Sequence, residues 1–181
     1  MNYTKLIVAI SPQHVAEVTL NRPEALNALD SRMAEELYRC LMEMEADARV
    51  RGILLKGAGK CFCVGIDVKE LAGKSALEYR EWIERMERPL IAIARMKKPV
   101  IAQVHGVAAA NGMGLVAAAD LAIAAENARM GLTAINVGLN CVGPVLPVAR
   151  SVGRKKALEL LLYGNLIDAA EALAADRKSG V

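Results

Sequence analysis

The chain has 181 residues, 54% of them hydrophobic, 24% charged and 3% aromatic. That length suits one domain that buries roughly two-thirds of the surface its unfolded form exposes, and the composition excludes a mainly disordered, collagen-like or low-complexity chain. With 23 Lys and Arg against 20 Asp and Glu, a net charge of +3 and six aromatics, neither a basic nucleic-acid footprint nor a stacking platform for single strands is expected.

From the N-terminus, Leu6–Ile10 and Val15–Leu20 are short β-prone runs around Ser11-Pro12-Gln13-His14, which reads as a hairpin. From Ser31 the period changes. Met33, Leu37, Leu41, Met44 and Ala48 recur at helical spacing, with Asp30 or Ser31 as N-cap and Glu35/Arg39 and Glu45/Arg49 as i,i+4 pairs. Residues 52–56 read as a buried strand that stops at Gly57-Ala58-Gly59. A second amphipathic helix is predicted over 75–95 on Leu77, Trp82, Ile83, Met86, Leu90 and Ile93, kinked or divided at Pro89. Residues 99–104 form a third buried strand, 111–119 a short apolar helix and 121–124 another strand. This alternation implies βα crossovers and a mostly parallel sheet. One helix is expected over 144–163, and the basic cluster Arg154-Lys155-Lys156 reads as a solvated face. A last helix begins at 167, and residues 175–181 read as a frayed polar tail.

Cys40, Cys61, Cys63 and Cys141 have neither redox-pair nor zinc spacing, and two histidines do not complete a metal site. A reducing, cytoplasmic compartment is expected, with no metal. The first residues lack the pattern of a signal peptide. The longest near-apolar run, 107–119, is too short to span a bilayer and carries Asn111 and two glycines, so it reads as a core segment and no membrane association is expected.

Two loops repeat one device, in which a strand ends, small residues turn the backbone, and a helix starts with free amides. They are 57–67, after the strand at 52–56, and 105–114, after the strand at 99–104. Amides converging from two such turns make an oxyanion hole, able to hold the negative oxygen of an attacked or enolised thioester. Ordinary Gly-rich βα turns are the alternative.

Three segments decide between these readings: Arg22-Pro-Glu-Ala-Leu-Asn-Ala-Leu29, Gly65-Ile-Asp-Val-Lys-Glu-Leu71 and Lys98-Pro-Val-Ile-Ala-Gln-Val-His-Gly106. In that order they resemble the crotonase (enoyl-CoA hydratase/isomerase) superfamily, from about Lys5 to Ala174. The resemblance implies an α/β fold, a spiral of ββα units of the ClpP/crotonase type, with residues 1–174 an acyl-CoA-binding domain. It implies an acyl-CoA substrate, with coenzyme A entering as part of the substrate and no permanently bound cofactor, and a homo-oligomer, trimer or hexamer. The oxyanion amides would be those of Ile66 and Asn111. The adenosine part of coenzyme A would lie against Glu24, Ala25 and Leu26 and against Ile66, Asp67 and Val68. The family's C-terminal helices have no counterpart after Ala174, which predicts a naturally short or a truncated chain.

The sequence departs from that pattern at the acids. Hydratases of the family carry one glutamate three residues after the second oxyanion donor and another twenty further on; here those positions are Gly114 and Ala134. Loss of two general acid–base groups removes about 10²–10⁴-fold of catalysis each, non-additively, so efficient hydration is not expected. The run Asn136–Pro144 resembles a little-characterised branch in which the hydratase glutamates are likewise missing. At the acyl end, Asn140 is a candidate to orient a water and Cys141 a candidate nucleophile. Cys63, His105 and Tyr79 are weighed too, as a buried thiol, a structural histidine and a pocket wall; Asp67 reads as a helix cap. Three functions stay open: a thioester enzyme using the oxyanion hole, a hydrolase or decarboxylase needing only that hole and water, and a non-catalytic acyl-CoA-binding homologue.

Overall fold

The computed structural model describes residues 2–177. Strands β1 (Leu6–Ile10) and β2 (Val15–Leu20) form the expected antiparallel hairpin. Helix α1 (Ser31–Ala46) follows, then β3 (Gly52–Gly57), α2 (Ala76–Ile93), β4 (Val100–Val104) and β5 (Val107–Ala109). Next come α3 (Asn111–Ala118), β6 (Leu121–Ala124), β7 (Arg129–Gly131), α4 (Val142–Val152), α5 (Arg154–Tyr163), β8 (Ile167–Asp168) and α6 (Ala169–Arg177).

The large sheet has the order β1-β2-β3-β4-β6, parallel from β2 onward, and a smaller sheet has the order β5-β7-β8. Successive turns of chain repeat one unit. β4 is followed by β5 and α3, and β6 by β7 and α4. Isolated parallel bridges join Leu29 to Ile66 and Cys63 to Ala108, so the loops after β2 and β3 also lie alongside the inner layer. This is the spiral of ββα units expected.

The core is aliphatic. Met33, Leu37 and Leu41 of α1, Leu55, Ala102 and Val104 of the sheet, Met86, Leu90 and Ile93 of α2 and Leu115 of α3 form one buried cluster with Phe62. Each large side chain in it contributes about 1.5–3 kcal/mol by leaving water. Asp30 is the α1 N-cap, its carboxylate accepting from Met33 N–H at 2.7 Å. Ser75 and Glu78 form a reciprocal capping box at the start of α2.

Several expectations need correction. Pro89 does not divide α2, which runs through it with the ring buried; Leu77 lies exposed in its first turn. The helix expected over 144–163 is two, broken at Gly153, whose φ of 78° and ψ of 159° no helix continues. Arg39 pairs with Glu43 at i,i+4 rather than with Glu35, and Arg49 pairs with Asp47 rather than Glu45 because α1 ends at Ala46, with Ala48 exposed beyond it. Three strands of two or three residues were not expected at all. Residues 175–177 continue α6 rather than fraying, and residues 178–181 of the expected tail lie outside the described residues.

Candidate active site

The segment after β2 holds its shape by unusual means. Pro23 opens a single 3₁₀ turn over Pro23–Ala25, and Leu26 and Asn27 then both adopt left-handed conformations, with φ of 52° and 58°. Asn27 is fully buried and ties that turn to the next loop. Its Oδ1 accepts from Arg22 N–H at 2.9 Å, while Nδ2 donates to the carbonyls of Ala58 and Cys61, both at 2.8 Å.

The neighbouring strand-like stretch is built the same way. Val64 N–H donates to Leu26 O, Leu29 N–H to Gly65 O and Asp67 N–H to Leu29 O, so 26–30 and 64–68 run side by side. The Arg22 guanidinium closes the arrangement from within. It donates to Asp67 at 2.7 Å, lies 3.5 Å from Asp30, and bonds the Ala28 carbonyl at 3.1 Å. Burial alone would raise the Asp67 carboxyl; the bonds from Arg22 and from Lys69 N–H outweigh it and hold the group below the usual carboxylate range. Asp67 therefore does cap a 3₁₀ turn, over Val68–Leu71, and anchors Arg22 as well. Glu70 was not singled out from sequence. Its carboxylate accepts from Ser31 N–H and Oγ and from Trp82 Nε1 at 2.7 Å, clamping that turn to α1 and α2.

The two loops singled out from sequence meet. Gly65 has φ of 110°, and a Cβ there would stand 3.0 Å from Ala110 Cβ and 3.8 Å from Asn111 N. Gly112 is pressed as closely onto Cys63, whose Cβ a side chain at 112 would meet at 3.0 Å. Only glycine permits both approaches. Ala110, at φ 48° and ψ −114°, occupies a region costly for any residue with a Cβ, and its N–H is held by Gly131 O at 2.8 Å. This turn aims the next amide, Asn111 N–H, out of the first turn of α3. Among the described residues no backbone carbonyl accepts from Ile66 or Asn111 N–H. Two donors without backbone acceptors, from two loops in contact, form an arrangement that can hold a negative oxygen.

The remaining candidates separate. Glu24 and Leu26 are exposed and Ala25 half-buried on one segment; Ile66 and Asp67 are half-buried and Val68 exposed on the other. Cys141 is buried immediately before α4, where burial pushes its thiol up, and Asn140 beside it is exposed. Cys63 is fully buried and its thiol is pushed up to about 12, so it does not supply a thiolate. His105 Nε2 bonds Gly59 O at 2.9 Å, a structural role. Tyr79 packs on Trp82 at 6.1 Å between ring centroids, in the first half of α2. Gly114 faces Leu90 Cδ2 and Pro144, which a Cβ would meet at 2.7 and 3.0 Å, so a side chain there requires Leu90 to swing away and Pro144 to give by a few tenths of an ångström. Among the described residues no group of three or more His, Cys, Asp or Glu could hold a metal ion, and no helix is long and apolar enough to cross a membrane.

Comparisons with known proteins bear on the family and the fold. The family profile described as enoyl-CoA hydratase/isomerase matches residues 11–176. The crystal structure of an enoyl-CoA hydratase from Mycobacterium smegmatis superposes with a TM-score of 0.92 at 39% identity, covering 95% of this chain and 67% of that one. The (E)-benzylidenesuccinyl-CoA hydratase of Thauera aromatica is 38% identical over 165 residues, 88% of this chain and 63% of that protein. The 1,2-epoxyphenylacetyl-CoA isomerase of Escherichia coli is 38% identical over 164 residues, 87% of this chain and 62% of that protein. The chain thus spans a little under two-thirds of the length of these two relatives, one named for a hydration and the other for an isomerisation.

Proposed function

The chain belongs to the enoyl-CoA hydratase/isomerase family, and from that premise we propose that it binds a coenzyme A thioester and polarises its carbonyl with the amides of Ile66 and Asn111. The observation that carries this reading is the contact of Gly65 with the Ala110–Asn111 turn, at which both amides lack a backbone acceptor. Negative charge gathers on the thioester oxygen whether the carbonyl is attacked or the acyl group enolised. A preorganised donor at that oxygen contributes about 10²–10³ in rate. The adenosine part lies along Glu24, Ala25 and Leu26 and along Ile66, Asp67 and Val68, two segments cross-linked by backbone hydrogen bonds, with Leu26 and Val68 exposing apolar surface. Coenzyme A arrives as part of the substrate, and no resident cofactor enters the reading.

Hydration is disfavoured by the acyl end of the site. Gly114 and Ala134 carry no acid, and the space beyond Gly114 is filled by Leu90 and Pro144. Asn140 and Cys141 remain the nearby polar candidates, one exposed and one a buried thiol. Thioester chemistry that proceeds through an oxyanion or enolate fits these residues better than delivery of water to a double bond. The same bareness favours, as a second reading, a non-catalytic acyl-CoA-binding homologue. Self-association as a trimer or hexamer is supported by exposed apolar side chains, Leu121 and Ile123 on β6 and Leu146 on α4. Four free cysteines suit a reducing, cytoplasmic compartment.

Calorimetric titration with acetyl-CoA and crotonyl-CoA, followed by mass spectrometry of each mixture, tests the reading. Binding of either thioester is expected; absence of binding to both refutes it. A changed mass identifies a reaction, and binding without change supports the second reading. The Asn111→Pro variant removes one amide donor at the first helical position, where helices accept proline. Any turnover should fall at least 10²-fold with the circular dichroism spectrum retained, and unchanged turnover refutes the role of that amide.

A further inference from the structure

One carboxylate near α3 is used by nothing described so far. Helix α2 passes the start of α3 at two points. Asn111 Nδ2 donates to Met86 O at 3.4 Å, and one turn later Leu90 closes over Gly114. Glu87 stands between them, three residues before Leu90 and so on the same face of the helix. Its carboxyl group lies against Gly143 in the first turn of α4, where a side chain at 143 would collide with Glu87 Oε1 and meet its Cγ at 2.7 Å. Gly143 adjoins Pro144, the other residue that covers Gly114.

The other carboxylates around these loops are engaged: Asp67 and Asp30 by Arg22, and Glu70 by Ser31 and Trp82. Among the described residues Glu87 makes no hydrogen bond or ion pair, although it is half-buried. A half-buried carboxylate without a partner costs stability, and such a cost persists at sites where the group has work to do.

Resting on the thioester reading above, the geometry points to Glu87 as the proton-carrying group of this site, in place of the acids that positions 114 and 134 lack. Its carboxylate removes a proton from the carbon next to the thioester carbonyl. The electron pair of that C–H bond becomes the enolate double bond, and the carbonyl π pair moves onto the oxygen held by Ile66 and Asn111 N–H. The carboxylic acid then returns its proton, either to the same carbon or to the far end of a conjugated acyl chain, which shifts a double bond. Nothing is oxidised or reduced and no co-reactant is consumed. Burial and the nearby Glu84 raise the Glu87 carboxyl above its usual range, which strengthens it as a base. The substrate class is an acyl-CoA thioester with a hydrogen on its α-carbon.

The test is deuterium uptake by butyryl-CoA incubated with the protein in D₂O, followed by mass spectrometry, with calorimetry on the same thioester. The wild-type chain is expected to exchange the α hydrogens. Glu87→Gln should bind butyryl-CoA within about threefold of wild type yet exchange at least about 10²-fold more slowly, and Glu87→Asp should recover part of the rate. Glu87→Asp carries the comparison alone should the glutamine variant not fold. Exchange by Glu87→Gln at the wild-type rate overturns the inference, as does a wild-type chain that binds butyryl-CoA without exchange. Both outcomes leave the thioester-binding reading intact. A wild-type chain that binds no thioester overturns both.

Discussion

Asn27→Ala should unfold the loop assembly that presents the oxyanion donors. The side chain is fully buried and makes three hydrogen bonds, accepting from Arg22 N–H and donating to the Ala58 and Cys61 carbonyls. Its removal leaves the bond to Cys61 O unmade in a buried setting, at about 1–3 kcal/mol. The two part-buried groups, reached by water more easily, add about 0.5–1.5 kcal/mol each. A loss of about 2–6 kcal/mol is therefore expected, a large part of the roughly 5–15 kcal/mol available to a domain of this kind. Urea denaturation followed by Trp82 fluorescence measures it directly. Because Leu26 and Val64 lean on the same turn through a backbone bond, affinity for acetyl-CoA should fall in parallel. A stability loss below about 1 kcal/mol would show that water or a rearranged turn replaces these bonds, and would refute the claim that Asn27 fixes the loop.

Restoring the family's acid by Gly114→Glu should not restore hydration, because even a Cβ there meets Leu90 Cδ2 at 2.7 Å. Overpacking of about 1–3 kcal/mol is expected, read as a lowered Tm, with no gain in loss of the enoyl absorbance of crotonyl-CoA. A rise of 10²-fold or more at unchanged Tm would show that α2 and α4 leave room. Asp67, held below its usual range by Arg22, contributes stability that is present above its unfolded pKa of about 3.9 and lost as pH falls through the lower folded value. Denaturation of wild type and Asp67→Asn at neutral and acid pH should show a gap that narrows on acidification, and a constant gap would refute the pairing.

Much of the fold is written locally. The 3.6-residue recurrence of Met33, Leu37, Leu41 and Met44 fixes the buried face of α1, and all four are fully buried. The strands at 52–57 and 100–104 bury alternate residues, Ile53 and Leu55 on one and Val100, Ala102 and Val104 on the other, while Lys56 and Gln103 fall on the opposite face, so they are covered on one face rather than buried throughout. The three ordered motifs carried the family, and Gly65 with Asn111 carried the two loops whose backbones meet. Strands as short as 107–109 and 129–131 contain no period to detect, and exist because Cys63, Gly131 and their neighbours offer partners from distant turns of the spiral.

The side chains that organise the site were the less legible part. Arg22, Asn27 and Glu70 each stood in or beside a quoted motif, but a motif names residues without naming partners. Asn27 bonds across more than thirty positions and Glu70 across thirty-nine, so local spacing holds no trace of either pairing. Glu87 was not singled out from sequence, because its place against Gly143 of α4 follows from packing between residues more than fifty positions apart. The sequence by itself determined the longer strands, the two amphipathic helices α1 and α2, the family and the absence of the two hydratase glutamates, because these depend on residue identity and short-range periodicity. Only the tertiary structure decided that Leu90 and Pro144 close over Gly114 and that one carboxylate from another helix stands unpartnered nearby, because both follow from packing between segments far apart in the chain.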